Sequence, residues 1–307
     1  MPDPLPEQLP DGSPDPLPGG SLVLLGDVEP ALVTELAAVG LAVRGSFALD
    51  PFGPPATGRR YAGLDAVLAD DGVRAAVLPA ASPLAGALPD LLAAGLPVLL
   101  ADAAPWDADL LRSARAAAGE ADVAAAVALQ ARHTGWAALV AGALSGRRSP
   151  HQVTVRGWPR GPAAAAELVD LLRGWCGDVV AAAAAPAVLP ADALPDGPRV
   201  AWALLTDRGT TVLVAHEGQV AQVRLSLPPT RLLAGPDAVG WEGATTIAPA
   251  GREDPTVSAF AQAAAAGSAE PLELFPTVAR PGDLVPVARV LAALRASARS
   301  KAWVELG

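Results

Sequence analysis

The stretch "VLLGDVEPA", Val23 to Ala31, is the first place in this chain where residue types and spacing could do chemistry. An apolar run ends in Gly26 and a helix-like segment follows, which is the layout of the first turn in a nucleotide-binding fold. Such turns use glycines so that backbone can approach a pyrophosphate resting on the helix N-terminus. Here the six residues read Gly26-Asp27-Val28-Glu29-Pro30-Ala31. Gly26 suits a tight turn from strand to helix. Val28 adds a branched side chain where a phosphate would approach, and Asp27 and Glu29 set negative charge beside it. The expectation is a turn that keeps its architecture and binds no dinucleotide.

Other signs of chemistry are few. The histidines His133, His151 and His216 are far apart and lack ligand spacing, so no metal site is expected. The single cysteine, Cys176, rules out an internal disulfide and any Cys-rich zinc site. No Gly-x-Ser-x-Gly elbow or Cys/His pair points to a nucleophile. Net charge is −10 and Lys301 is the only lysine, which argues against a nucleic-acid footprint. The hydrophobic fraction of 51% is largely alanine, as in the run Ala181 to Ala185, and reads as a compositional bias. No window offers about 20 strongly apolar residues, so no membrane span is expected. The N-terminus has no basic start and no apolar block, so a cytoplasmic protein is expected.

These residues need a scaffold, and the pattern along the chain supplies one. Residues 1–20 repeat PDPLP and read as an extended or disordered tail. From Ser21, apolar runs alternate with helical stretches: "SLVLLG", "PALVTELAAV", "LAVRGSF", "GLDAVLADD", "VRAAVLPA", "PLAGALPDLLAAG" and "LPVLLAD". Residues 107–118 add a helix. This alternation predicts a Rossmann-like, doubly wound parallel sheet over 21–120. Beyond it, "HQVTVRGW", "RVAWALLTD", "TTVLVAHEG" and "VAQVRLSL" alternate apolar and polar residues, with "AAAELVDLLRGW" as a helix among them. They predict an α+β domain over 121–282 built on a largely antiparallel open sheet. Residues 283–307 read as an amphipathic helix, with Leu284, Val287, Leu291 and Leu294 on one stripe, and a short strand packing back on the core.

In order and spacing the chain resembles the glucose–fructose oxidoreductase/inositol dehydrogenase (Gfo/Idh/MocA) family. The resemblance runs through "YAGLDAVLADDGVRAAVL", "LLAAGLPVLL", "LQARHTGWAALVAGALSG", "ELVDLLRGWCG" and "VARVLAALRASARSKAWVEL", Tyr61 to Leu306. It implies an NAD(P)-dependent oxidoreductase scaffold acting on a small hydroxylated, sugar- or polyol-like substrate. It also implies where the site residues fall. Gly26 and Val28 stand in the cofactor turn. Arg44 and Ser46 end the second strand, where an acidic residue would hold the adenosine ribose and an arginine would meet a 2′-phosphate. Asp102 stands where the family places a lysine near the nicotinamide. In the family's Asp-x-x-x-His-x-x-Asp helix, Ala163 replaces the first aspartate, Glu167 the histidine, and Asp170 remains.

Cofactor turn, lysine, histidine and first aspartate are therefore all changed. The expectation is a degenerate member without hydride transfer and without a cofactor, binding a partner enzyme or a like subunit through its C-terminal sheet. The alternative is an active enzyme that uses NAD(P). In it Glu167 is a base if burial raises its pKa, and Asp170, His133 and Asp102 join it near the cleft with Arg132, Trp158 and Arg160.

Overall fold

The computed structural model describes residues 20–47, 58–103, 106–159, 161–184, 200–215, 221–244, 246–250 and 254–306. The proline-rich tail, His216 and Arg160 lie outside the described residues.

The first half of the chain builds one parallel sheet. Its strands are β1 (Gly20–Leu24), β2 (Leu41–Ser46), β3 (Arg59–Arg60), β4 (Ala75–Leu78), β5 (Val98–Leu100) and β6 (Ala125–Val127). They pair in the order β3-β2-β1-β4-β5-β6, every pairing parallel. That is the strand order of the dinucleotide-binding fold, with its switch point between β1 and β4. Between the strands run α1 (Pro30–Ala38), α2 (Leu64–Leu68), α3 (Leu88–Ala93) and α4 (Ala108–Ala121). Each sits where the apolar spacing puts it. Pro30 opens α1 at a position that needs no N–H, and the Asp107 carboxylate caps α4 through the N–H groups of Asp109 and Leu110.

The second half builds a mixed sheet of eight strands. After α5 (Gly135–Leu144), β7 (Gln152–Arg156) and α6 (Pro162–Cys176) come β8 (Val179–Ala184), β9 (Val200–Thr206), β10 (Thr211–Ala215), β11 (Gln222–Leu227), β12 (Thr230–Ala234) and β13 (Val239–Trp241). The order is β13-β12-β11-β7-β10-β9-β8-β14, where β14 is Val304–Glu305, and only β7–β10 is parallel. The alternation in β7 is explicit: Val153 and Val155 are buried while Gln152 and Arg156 face outward. The alanine run expected to be mere composition contributes Ala181 to Ala184 to β8. Small side chains suit it there, because α9 (Pro281–Ser300) packs directly on that strand. The helix α9 buries the stripe Leu284, Val287, Leu291 and Leu294, as its periodicity requires.

The two sheets share their packing. One apolar cluster runs from Val23, Leu78 and Leu100 on the first sheet through Leu111 and Leu291 to Val153 and Leu225 on the second. The opposite face of the first sheet is covered by α1 and by α7 (Thr256–Ala266), with α8 (Glu270–Glu273) beside it. Phe260 of α7 is fully buried there against the cluster of Leu22, Leu36 and Leu99. Full burial of such a side chain is worth roughly 1.5–3 kcal/mol. The chain thus returns to its first sheet after building its second. Among the described residues no helix is long and apolar enough to cross a membrane.

Candidate functional site

Parallel pairing puts the loops after β1, β2, β4, β5 and β6 along one edge of the first sheet, the edge where open α/β sheets bind ligands. At the switch point Gly26 has φ +142°, and a Cβ there would lie 3.3 Å from Cβ of Ser82, in the loop after β4. The turn therefore needs its glycine for close approach of chain to chain. Val28 is half-buried against the cluster beneath α1, whereas Asp27 and Glu29 are exposed. The side chain of Glu29 makes no capping bond to α1. Two solvated carboxylates at a helix N-terminus complement its dipole and oppose a pyrophosphate.

On β2, the Arg44 guanidinium does not await a phosphate. It forks onto Asp70, Nε to Oδ2 at 3.0 Å and Nη2 to Oδ1 at 2.9 Å. The same carboxylate accepts from Tyr61 Oη at 2.8 Å, from Arg59 Nη1 at 3.1 Å and from the Gly72 N–H at 3.0 Å. Bonds from Arg44 and Tyr61 hold Asp70 well below the usual carboxylate range. Ser46 ends β2 buried, and its Oγ has no hydrogen-bond partner among the described residues. At the end of β5, Asp102 accepts the Ala80 N–H at 3.2 and 3.3 Å, and its carbonyl accepts from Trp106 Nε1 at 2.9 Å. Where the family resemblance implies a cation, this chain has an acceptor that fastens the loop after β4 to the loop after β5.

Beyond β6 the chain makes a tight turn, Gln130–His133, and the remaining candidates gather round it. From α6, Glu167 faces the backbone N–H groups of Gln130 and Ala131. Burial raises its pKa above the ordinary 4.5, those two amides pull against it, and the nearby Asp170 and Asp254 carboxylates push it further up. One turn along α6, Asp170 is buried and receives Arg132 bidentately, Nε to Oδ2 at 2.6 Å and Nη2 to Oδ1 at 2.7 Å. Arg132 also reaches Asp283 at the start of α9, at 3.5 Å. His133 is buried, with Nε2 3.4 Å from Asp254 Oδ1. That same oxygen takes the Thr256 N–H at 2.8 Å at the head of α7. An aromatic group backs the assembly. Trp136 meets Trp158 and Trp175 edge-on at 6.1 and 5.7 Å, and Trp158 Nε1 donates to Ala164 O at 2.7 Å.

Glu167, Asp170, His133 and Arg132 therefore share one cluster. Asp102 and Gly26 stand further along the same edge, and Arg44 faces Asp70. Asp254 and Asp283 were not singled out from the sequence. Asp254-Pro255-Thr256 has the residues of a helix start and is the signal that would have found the first of them. Among the described residues no group of three or more His, Cys, Asp or Glu could hold a metal ion.

No protein-family model matches the chain, and no curated protein matches it by sequence. Solved structures do match over almost its whole length. Aldose-aldose oxidoreductase from Caulobacter crescentus, complexed with glycerol, superposes with TM-score 0.68 at 16% identity, covering 94% of this chain and 100% of the other. The WlbA dehydrogenase of Bordetella pertussis, in complex with NADH and UDP-GlcNAcA, gives 0.64 at 17%, covering 94% and 98%. Levoglucosan dehydrogenase, with NADH and levoglucosan, gives 0.63 at 14%, covering 94% and 99%. The chain has the fold of the Gfo/Idh/MocA oxidoreductases. That likeness carries architecture, and the chemistry has to be argued from the side chains themselves.

Proposed function

We propose that this chain is a degenerate Gfo/Idh/MocA homologue that keeps the two-sheet scaffold, has lost hydride transfer and acts by binding. One observation carries the reading. At two site positions the carboxylate is used to hold the chain together, Asp102 on the Ala80 amide and Asp170 on Arg132, while Glu167 faces the Gln130 and Ala131 amides. The residues at the turn do not fit a dinucleotide either. Val28, Asp27 and Glu29 crowd and repel a pyrophosphate, and Arg44 is already matched by Asp70. The second sheet offers the surface for a partner enzyme or a like subunit around β9, where Leu205 is exposed.

The alternative, an active NAD(P)-dependent enzyme on a sugar- or polyol-like substrate, has one observation in its favour. A desolvated Glu167 with a raised pKa is a better base than a solvated one. Titration of the purified chain with NADH and NADPH, followed by fluorescence and heat, separates the readings. The expected result is no micromolar binding of either dinucleotide, and micromolar binding of one would overturn the proposal.

A further inference from the structure

The outward face of the second sheet holds a recess of about 380 Å³ over β7, β11 and β12, and none of its lining residues belongs to the cluster around Glu167. That volume is in the range of small-molecule sites. Arg156 on β7 and Arg224 on β11 both line it, with Thr154 and Gln222 between them. The register makes them close neighbours. Gln222 pairs with Arg156 and Arg224 with Thr154, so the two arginines are diagonal cross-strand neighbours, roughly 7–8 Å apart at Cα. Both side chains are exposed, and among the described residues neither makes an ion pair or a side-chain hydrogen bond.

With net charge −10 there is no shortage of carboxylates, and Arg44, Arg132, Arg173 and Arg231 each take one. Two adjacent guanidiniums on a rigid sheet repel each other, and a shared anion would relieve that repulsion. Asp237 at the rim of the recess supplies one negative charge against their two positive ones. The tight turn after β12 closes one side: the Gly235 N–H donates to Ala238 O at 3.0 Å, and a Cβ on Gly235 would lie 2.8 Å from Ala221 O.

We propose that this recess binds a small molecule through a phosphate group, held between Arg156 and Arg224 with the Thr154 hydroxyl and Gln222 amide as further donors. A phosphate dianion offsets both charges and offers acceptor oxygens to two planar forks at once. The recess is larger than a phosphate alone, which leaves room for the organic part of an ester beside Leu233. The site stands independently of whether the cleft is catalytic.

The test is calorimetric titration of the full chain at low salt with inorganic phosphate and with glycerol 3-phosphate. Saturable binding of both is expected, weakened at least about tenfold in Arg156→Gln and in Arg224→Gln, and weakened by added salt. Arg231→Gln removes a nearby cation that is paired with Glu242, and binding should be unchanged. Absence of saturable heat up to millimolar phosphate would overturn the proposal. So would equal weakening by all three substitutions, which would mean diffuse attraction to a cationic face. Sedimentation of the same samples adds a further arm. If the Arg156 and Arg224 variants change the protomer count while phosphate binds nowhere, the face joins copies of the chain and the site is refuted. Thermal melts confirm that the variants fold, as expected for exposed side chains.

Discussion

Two arginine settings in this molecule differ in how their charge is answered. Arg132, beside the cleft, is locked bidentately onto the buried Asp170 and braced by Asp283. Arg156 and Arg224, on the open face of the second sheet, line a recess where no carboxylate among the described residues is bound to them. In the first setting charge is consumed by the chain's own architecture, in the second it is left for something else. On the proposed reading, a cleft inherited with the fold has become structural, while binding capacity stands on a surface the fold does not reserve for it.

The comparison is best broken at Asp170. Replacing it with Ala leaves Arg132 facing Asp283 alone, at 3.5 Å. Loss of one partner from a buried pair costs about 3–5 kcal/mol, and the lower end is expected here because the Arg132 side chain keeps 23% exposure. Urea denaturation would read it, and a loss below about 0.5 kcal/mol would mean that the cleft pair is not structural.

A smaller effect is expected at Glu167. Its folded pKa lies above the unfolded value, so its protonated form favours the fold. That contribution is complete below about 4.5 and is lost as pH rises through the folded pKa. Glu167→Gln should therefore melt like the parent protein near pH 4 and higher than it at neutral pH. A parent that gains on the variant as pH rises would reverse the sign and show that the Gln130 and Ala131 amides outweigh burial.

The smallest effect sharpens the other side. Arg156→Gln and Arg224→Gln should each change stability by less than about 0.5 kcal/mol, because nothing in the fold leans on those charges. A loss comparable to that of Asp170→Ala would put both settings in one class.

Much of the scaffold was legible in the sequence, because buried parallel strands are short apolar runs and their connecting helices carry recognisable starts and stops. The parallel pairing of the first sheet, the stripe of α9 and the alternation in β7 follow from residue spacing, whereas the strand order does not. The alanine strand β8 was not legible, since alanine has no strand preference and its pairing is imposed by β9 and α9. For the site, i and i+3 spacing on α6 put Glu167 and Asp170 near one another. What each carboxylate holds was hidden, because the partners come from afar: Asp170 meets Arg132 across 38 residues, and Arg44 meets Asp70 across 26. Long-range pairing leaves no periodic trace.

The return of α7 to the first sheet sets an order of events for a newly made chain. Phe260 and Val257 cover the face formed by Leu22, Leu24 and Val77, and the Val127 N–H waits for the carbonyl of Ala279 at 2.9 Å. The first sheet cannot be completed when its last strand has left the ribosome. The part of that face that α1 leaves open stays bare until α7 has been synthesised, so the earliest element must be kept from sticking to its neighbours for most of the chain's synthesis.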